Sequence, residues 1–321
     1  MNSLRFFPLK LLLCLLSFSL IAVLFSCASR KAVQAEEYFS IGMAYFDMGK
    51  YVEAEQWLNR AKSADKTMTA SEYNLGRIAF ETGRYEDAAR HFEGILSKDP
   101  NNVMALKAAA FSRIKNGNLE QAEALYDRVL ALVPENNDEG FNYALVLYSL
   151  EKYEKCEEVL NKYPYALEEN ASSLLLLARA QKAQNKIEAA DSYDKWVLSG
   201  KTSSQGFYEY AQILESASLY ARALEQYENA IKALDQDTEE LKKSKLMFEA
   251  ARLLLIADPE NAKGLEELNN SITEGFTDRD AIENLYLDER ITQYNREEIK
   301  KILDSPLEQK SQTGTDTAKE G

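Results

Sequence analysis

The chain has 321 residues, of which 45% are hydrophobic, with 13 Gly and 6 Pro; it is too apolar to be disordered and too poor in turn residues to be loop-rich. A formal net charge of −14 with no basic stripe argues against binding nucleic-acid phosphates. With Cys14, Cys27 and Cys156 as the cysteines and His91 as the one histidine, a disulfide framework is excluded, and so is a zinc site of His and Cys ligands in the folded part.

In chain order, residues 1–26 open with Arg5 and Lys10 and run into an apolar stretch from Leu11 to Phe25. This is the build of a secretory signal, short of the ~20 residues that span a bilayer as a helix. The stretch ends Leu24-Phe25-Ser26-Cys27. That ending resembles the lipobox of bacterial lipoproteins: Leu24 and Ser26 match, and Phe25 replaces the usual small residue. The resemblance implies a signal peptide over 1–26, a lipid attachment site at Cys27 carrying palmitate-type chains, and a location in the cell envelope, on the periplasmic face or at the outer membrane. More than one acyl chain gives stable anchoring. An uncleaved anchor, or ordinary cleavage after Ala28 or Ser29, is the alternative. Residues 27–34 read as a lipid-anchored tether.

Beyond the tether a period emerges. Ala54, Ala88 and Ala122 lie 34 residues apart, each with a glycine five residues ahead (Gly49, Gly83, Gly117), and Cys156, Ala189 and Ala223 continue the series. A fixed repeat of this length predicts helix–turn–helix units. The unit 35–68 carries Tyr38, Gly42, Tyr45, Tyr51, Ala54 and Leu58; 69–102 carries Leu75, Gly76, Tyr85, Ala88, Phe92 and Pro100; 103–136 carries Leu106, Ala110, Leu119, Ala122, Tyr126 and Pro134. These resemble the tetratricopeptide repeat, which implies an all-α fold, a right-handed α-solenoid of helix–turn–helix units. The small residues at 42, 76 and 110 let paired helices approach, the glycines close the first helix of each pair, and Pro100 and Pro134 punctuate the second.

Three further units follow, with Cys156 in place of the signature alanine in the fourth, making six units over 35–237. Residues 241–304 read as a divergent seventh repeat, its second helix opening at Pro259, followed by capping helices, the last spanning Arg296 to Leu303. Residues 305–321 are polar and expected to be disordered.

The resemblance also implies that the first helix of each unit lines a concave groove. The positions it exposes hold Phe39, Met43, Phe46, Tyr73, Asn74, Arg77, Phe80, Lys107, Phe111, Phe141, Asn142 and Tyr148. So aromatic a wall suits a partner chain, unless these rings pack between helices or against an N-terminal segment. Asn74 and Asn142 fall where the family often uses an amide to bond a peptide backbone, an amide being donor and acceptor together. The subtype that clamps a terminal carboxylate is disfavoured, because Phe39 and Met43 stand where its Lys and Asn belong.

No P-loop, dinucleotide fingerprint or HExxH motif occurs, and no catalytic, cofactor or metal site is expected. The function these features predict is a lipid-anchored envelope scaffold that binds a protein or peptide segment, with membrane contact through its lipid and no nucleic-acid partner. One alternative is an accessory subunit handling a small ligand beside a solute-binding or transport protein, marked by an enclosed apolar cavity. Another is an enzyme built on a carboxylate pair.

Overall fold

In a computed structural model the described residues are 31–135, 137–163, 171–238 and 241–305, and every regular element among them is helical. They divide into two compact units between Lys152 and Tyr153.

The first unit holds α1 (31–47), α2 (Tyr51–Ala64), α3 (Thr69–Glu81), α4 (Tyr85–Leu96), α5 (Val103–Lys115), α6 (Leu119–Leu132) and α7 (Asn137–Ser149). From α2 onward each helix packs on the next. Short connections force this pairing, and small residues let it close. Ala54, Ala88 and Ala122 are fully buried. At Gly76 a Cβ would lie 2.7 Å from Cε1 of Phe92, so α3 and α4 approach over a position that tolerates no side chain. The three glycine turns have φ of +70°, +76° and +78°. In each, the next residue's N–H reaches back to a carbonyl five residues earlier: Lys50 to Tyr45, Arg84 to Ala79 and Asn118 to Arg113, at 2.8–3.0 Å. These are Schellman closures, which satisfy carbonyls the helix end would otherwise orphan. Asn102 caps α5, its Oδ1 accepting from the Ala105 N–H at 3.0 Å.

The second unit holds α8 (Tyr153–Lys162), α9 (Ala171–Ala183), α10 (Ala189–Leu198), α11 (Ser204–Ser216), α12 (Tyr220–Lys232), α13 (Lys243–Ala257), α14 (Lys263–Thr273), α15 (Arg279–Leu287) and α16 (Gln293–Asp304). Its larger core centres on Tyr193, Trp196, Tyr210 and Tyr227. The rings of Tyr193 and Tyr210 stack at 5.2 Å. A second core, around Phe248, Leu255, Leu268, Ile282 and Ile299, joins α13 and α14 to the last two helices.

Two boundaries differ from expectation. Helix α1 is already formed at residue 31, inside the stretch read as tether; Lys31, Ala32 and Gln34 are good helix formers, and the Gln34 amide donates to the Tyr38 hydroxyl one turn on. Pro259 does not open a helix. It sits in a turn in which the Asn261 N–H bonds the Asp258 carbonyl at 3.0 Å, and α14 starts at Lys263, whose N–H the Asn261 side chain accepts. The Pro259 carbonyl instead receives the buried Asn295 amide from α16 at 2.9 Å. The signal segment, Cys27 and the tail from 306 on lie outside the described residues.

Candidate functional site

Within the first unit, α3, α5 and α7 bring side chains spaced three, four and seven residues apart onto one face, the spacing of a helical stripe. They line a cavity of about 400 Å³, in the range of ligand sites, formed by Tyr73, Arg77, Phe80 and Glu81 of α3, Met104, Lys107, Ala108 and Phe111 of α5, and Glu139 and Asn142 of α7. Phe92 of α4 and Tyr126 of α6 close its base. Both base rings are 2% exposed, whereas Met104 is 63% and Phe111 47% exposed, so the cavity opens to solvent along an apolar lip.

The aromatic side chains hold one another. Phe80 stacks on Phe111 with ring centroids 5.2 Å apart and meets Tyr85 edge-on at 5.2 Å. Tyr73 leans on Phe92 at 5.2 Å, and Tyr126 stacks on Tyr143 at 6.0 Å. Such pairs fix ring orientation beyond what burial alone does. Burial, and then the negative charge of Glu139, push the Tyr126 phenol well above its usual range, so it stays neutral.

The polar wall is sparse. Lys107 Nζ lies 2.5 Å from Oε1 of Glu139, a carboxylate that is almost wholly buried. The Arg77 guanidinium stands 4.5 Å from the centre of the Phe46 ring of α1 and donates to Asn74 Oδ1 at 3.0 Å. Lys115 Nζ lies 5.6 Å from the Phe111 ring.

Of the residues expected in the groove, the structure gathers Tyr73, Arg77, Phe80, Lys107, Phe111 and Asn142 around this one cavity, and Phe46 joins them through Arg77. Asn74 requires a correction. Only 7% exposed, it donates its amide to the Ala70 carbonyl at 2.9 Å and accepts from Arg77, so its amide is engaged in bracing α3 and little of it faces the groove. Phe39 and Phe46 are half-buried against the Ala54, Leu58, Leu75 and Ile78 core, in line with the packing alternative. Met43, Phe141 and Tyr148 are half-buried and lie outside the cavity lining.

Sequence reasoning missed the base. Phe92 and Tyr126 belong to the repeat pattern, and for Phe92 the signal is its pairing with Gly76, over which the ring edge lies. Glu139, in the first turn of α7, carried no signal in a chain so rich in carboxylates.

Elsewhere among the described residues, Cys156 and His91 are held in structural contacts. The Cys156 thiol is fully buried, and burial, then the charge of Glu157, raise its pKa to about 12, so it packs as a small hydrophobe. His91 Nδ1 pairs with Glu72 Oε1 at 2.7 Å, the same carboxylate that binds Lys62.

Known proteins give this geometry its context. Residues 35–68 and 79–140 each match a family model described as Tetratricopeptide repeat, and 115–195 match one described as Anaphase-promoting complex, cyclosome, subunit 3. Over 164 residues the chain is 25% identical to an uncharacterized lipoprotein of Treponema pallidum (strain Nichols), covering 51% of this chain and 84% of that protein. It is 26% identical to Protein O-mannosyl-transferase Tmtc3 of Drosophila melanogaster over 48% of its length, but spans 17% of that enzyme. Among solved structures, a tetratricopeptide repeat protein from Parabacteroides merdae ATCC 43184 aligns with a TM-score of 0.53 at 20% identity, over 78% of this chain and 97% of that one. YrrB, a TPR protein with an unusual peptide-binding site, aligns at 0.50 and 16% identity, over 55% and 91%. With its 34-residue period, its paired helices and these matches, the chain carries tetratricopeptide repeats, matched over 35–68 and 79–140.

Proposed function

We propose that the protein is a non-catalytic, lipid-anchored scaffold of the cell envelope that captures a segment of a partner protein on the α3–α5–α7 face of its first unit. The observation that carries this reading is the open aromatic cavity: Met104 and Phe111 stay exposed at its lip while Phe92 and Tyr126 form a dry base. Apolar area left uncovered in this way is a binding surface in waiting. An open lip favours a chain lying along the groove over the enclosed pocket that a small-ligand accessory subunit needs. YrrB, aligned above, has a peptide-binding site and supports the same choice.

Anchoring is proposed at Cys27. The Leu24-Phe25-Ser26-Cys27 ending and the lipoprotein name of the Treponema pallidum relative support it. No helix among the described residues is long and apolar enough to cross a membrane. We assign six repeats to 35–237 and a seventh with its cap to 241–304.

The test has two arms. Phe80→Ala combined with Phe111→Ala should weaken capture of the partner in a pull-down from crosslinked cells while leaving the helical circular dichroism intact. Undiminished capture refutes the groove. In the other arm, Cys27→Ser should move the protein from the detergent to the aqueous phase and abolish incorporation of labelled palmitate; palmitate still entering that variant refutes the anchor.

A further inference from the structure

The groove carries positive charge in an acidic protein. The ion pairs of the first unit engage Lys62, Arg84, Arg90, Lys107, Arg113 and Lys152. Arg77 and Lys115 belong to none of them. Each instead lies against a groove aromatic, Arg77 on Phe46 and Lys115 on Phe111. A cation over a ring keeps most of its charge available to an incoming anion. With a net charge of −14 the protein repels acidic ligands at long range; on this face Arg77, Lys107 and Lys115 outnumber Glu81 and Glu139, which makes it a place where an acidic ligand is accepted.

Phe80 and Phe111 stack side by side, so they fix a common level on α3 and α5. Arg77 lies three residues before Phe80, and Lys115 four residues after Phe111. Arg77 thus leaves α3 about one turn before the stacked rings, and Lys115 leaves α5 about one turn after them. Between them lies the apolar cavity with Met104 and Phe111 at its lip.

We propose that the groove takes an extended partner segment in which a bulky apolar side chain is flanked on both sides by carboxylate side chains that share its face, each an even number of residues away. The apolar side chain fills the cavity, and the carboxylates pair with Arg77 and Lys115. This rests on the reading of the groove as a peptide site and gives that peptide its chemistry. It differs from recognition of a chain terminus, because the paired charges are side chains and both flanks of the segment continue.

The experiment is selection of a random twelve-residue peptide display library on the full chain in detergent. The expected result is enrichment of Asp or Glu on both sides of Phe, Leu, Met or Trp, at even separations from it. The leading peptide, synthesised with a fluorophore, should lose about tenfold in affinity for Lys115→Ala, a loss on the scale of one charged hydrogen bond, and should weaken with added salt. Lys115 is exposed, so its removal leaves the fold intact; Arg77→Lys, which keeps the charge over Phe46, should bind within a few-fold of the parent. Enrichment of apolar or basic peptides, or equal binding after Lys replaces both carboxylates, overturns the charge pattern and leaves the groove a peptide site. Failure to enrich any peptide that Phe111→Ala weakens overturns both.

Discussion

One backbone conformation organises the repeats at the residue scale. The second residue after each first helix has positive φ at Gly49, Gly83 and Gly117, and again at Glu151 (58°), Asn185 (55°) and Ser218 (60°). All six sites make the same back-reaching hydrogen bond; in the later three Lys152 bonds Leu147, Lys186 bonds Gln181 and Leu219 bonds Leu214. The period was legible from the glycines in the first three repeats. It was harder to read as a turn in the others: Asn185 tolerates the left-handed conformation, but at Glu151 and Ser218 the closing hydrogen bonds impose it on residues that do not advertise it. Left-handed geometry costs a residue with a Cβ ~1–2 kcal/mol, and Glu151 is exposed. Glu151→Gly should therefore raise stability by ~0.5–1 kcal/mol in urea unfolding, part of the strain relief being offset by glycine's greater unfolded-state entropy. A variant no more stable than the parent would show that this turn is unstrained. The opposite change probes the helix contact: Gly76→Ala places a methyl against the Phe92 ring and should cost ~1–3 kcal/mol as the ring is displaced. Because Phe92 forms the base of the cavity, the same variant should also weaken partner capture.

At the scale of helices, neighbouring repeats are stitched by a period that reading along the chain does not reveal. Arg84 pairs with Glu55, Lys152 with Glu123 and Lys186 with Glu157, each 29 residues apart and each 34 or twice 34 residues from the next pair. Where the series skips a step, both members change together, to Asn118 and Ala89. Charged residues make up 28% of the chain, so this pattern is hidden among chance pairs until the fold selects it. Exposed pairs of this kind add little energy; better-shielded carboxylates carry more. Glu157 accepts from Gln181, Gln184 and Lys186. Glu215 receives two hydrogen bonds from Arg252 at 2.7 Å and one from Tyr227. Burial pushes both acids up, yet these donors outweigh it and hold each below the ordinary value of 4.5. A carboxylate with a lowered folded-state pKa adds stability above its unfolded value, and that stability is lost as pH falls through the folded-state pKa. The thermal midpoint should thus be level from about pH 8 to about pH 6 and drop below about pH 4.5. Glu215→Gln should unfold at lower temperature at neutral pH and show a shallower acid limb. Parallel curves for the variant and the parent would remove Glu215 from this account.

Across the molecule, the two units differ in how much of the equivalent helix face is apolar and uncovered: the first keeps the Lys107–Glu139 and Arg77–Asn74 pairs beside its exposed apolar lip. In the second unit Arg179 bonds Glu209 at 2.8 and 3.1 Å, Lys182 donates to Gln212 at 3.0 Å, and Arg252 holds Glu215 and Glu249. A partner laid on that face must break these bonds, and a buried or half-buried polar group stripped of its partner costs more than a fresh contact returns. In the first unit the face ends in Met104 and Phe111, which have apolar area to lose and no hydrogen bond to give up. Which face is committed to itself was illegible in the repeat pattern, since both carry the same helix periodicity and differ only in pairs that the fold brings together. A photo-crosslinking residue placed at Met104 should consequently yield a partner adduct in intact cells, and the same residue at Gln212, exposed on α11, should yield none above background. Phe80→Ala introduced beside the Met104 probe should reduce the adduct, because the Phe80 ring holds Phe111 in place. An adduct from Gln212 as strong as that from Met104 would mean that the self-paired polar face opens in the cell, and that exposed apolar area in the first unit does not decide where the partner lies.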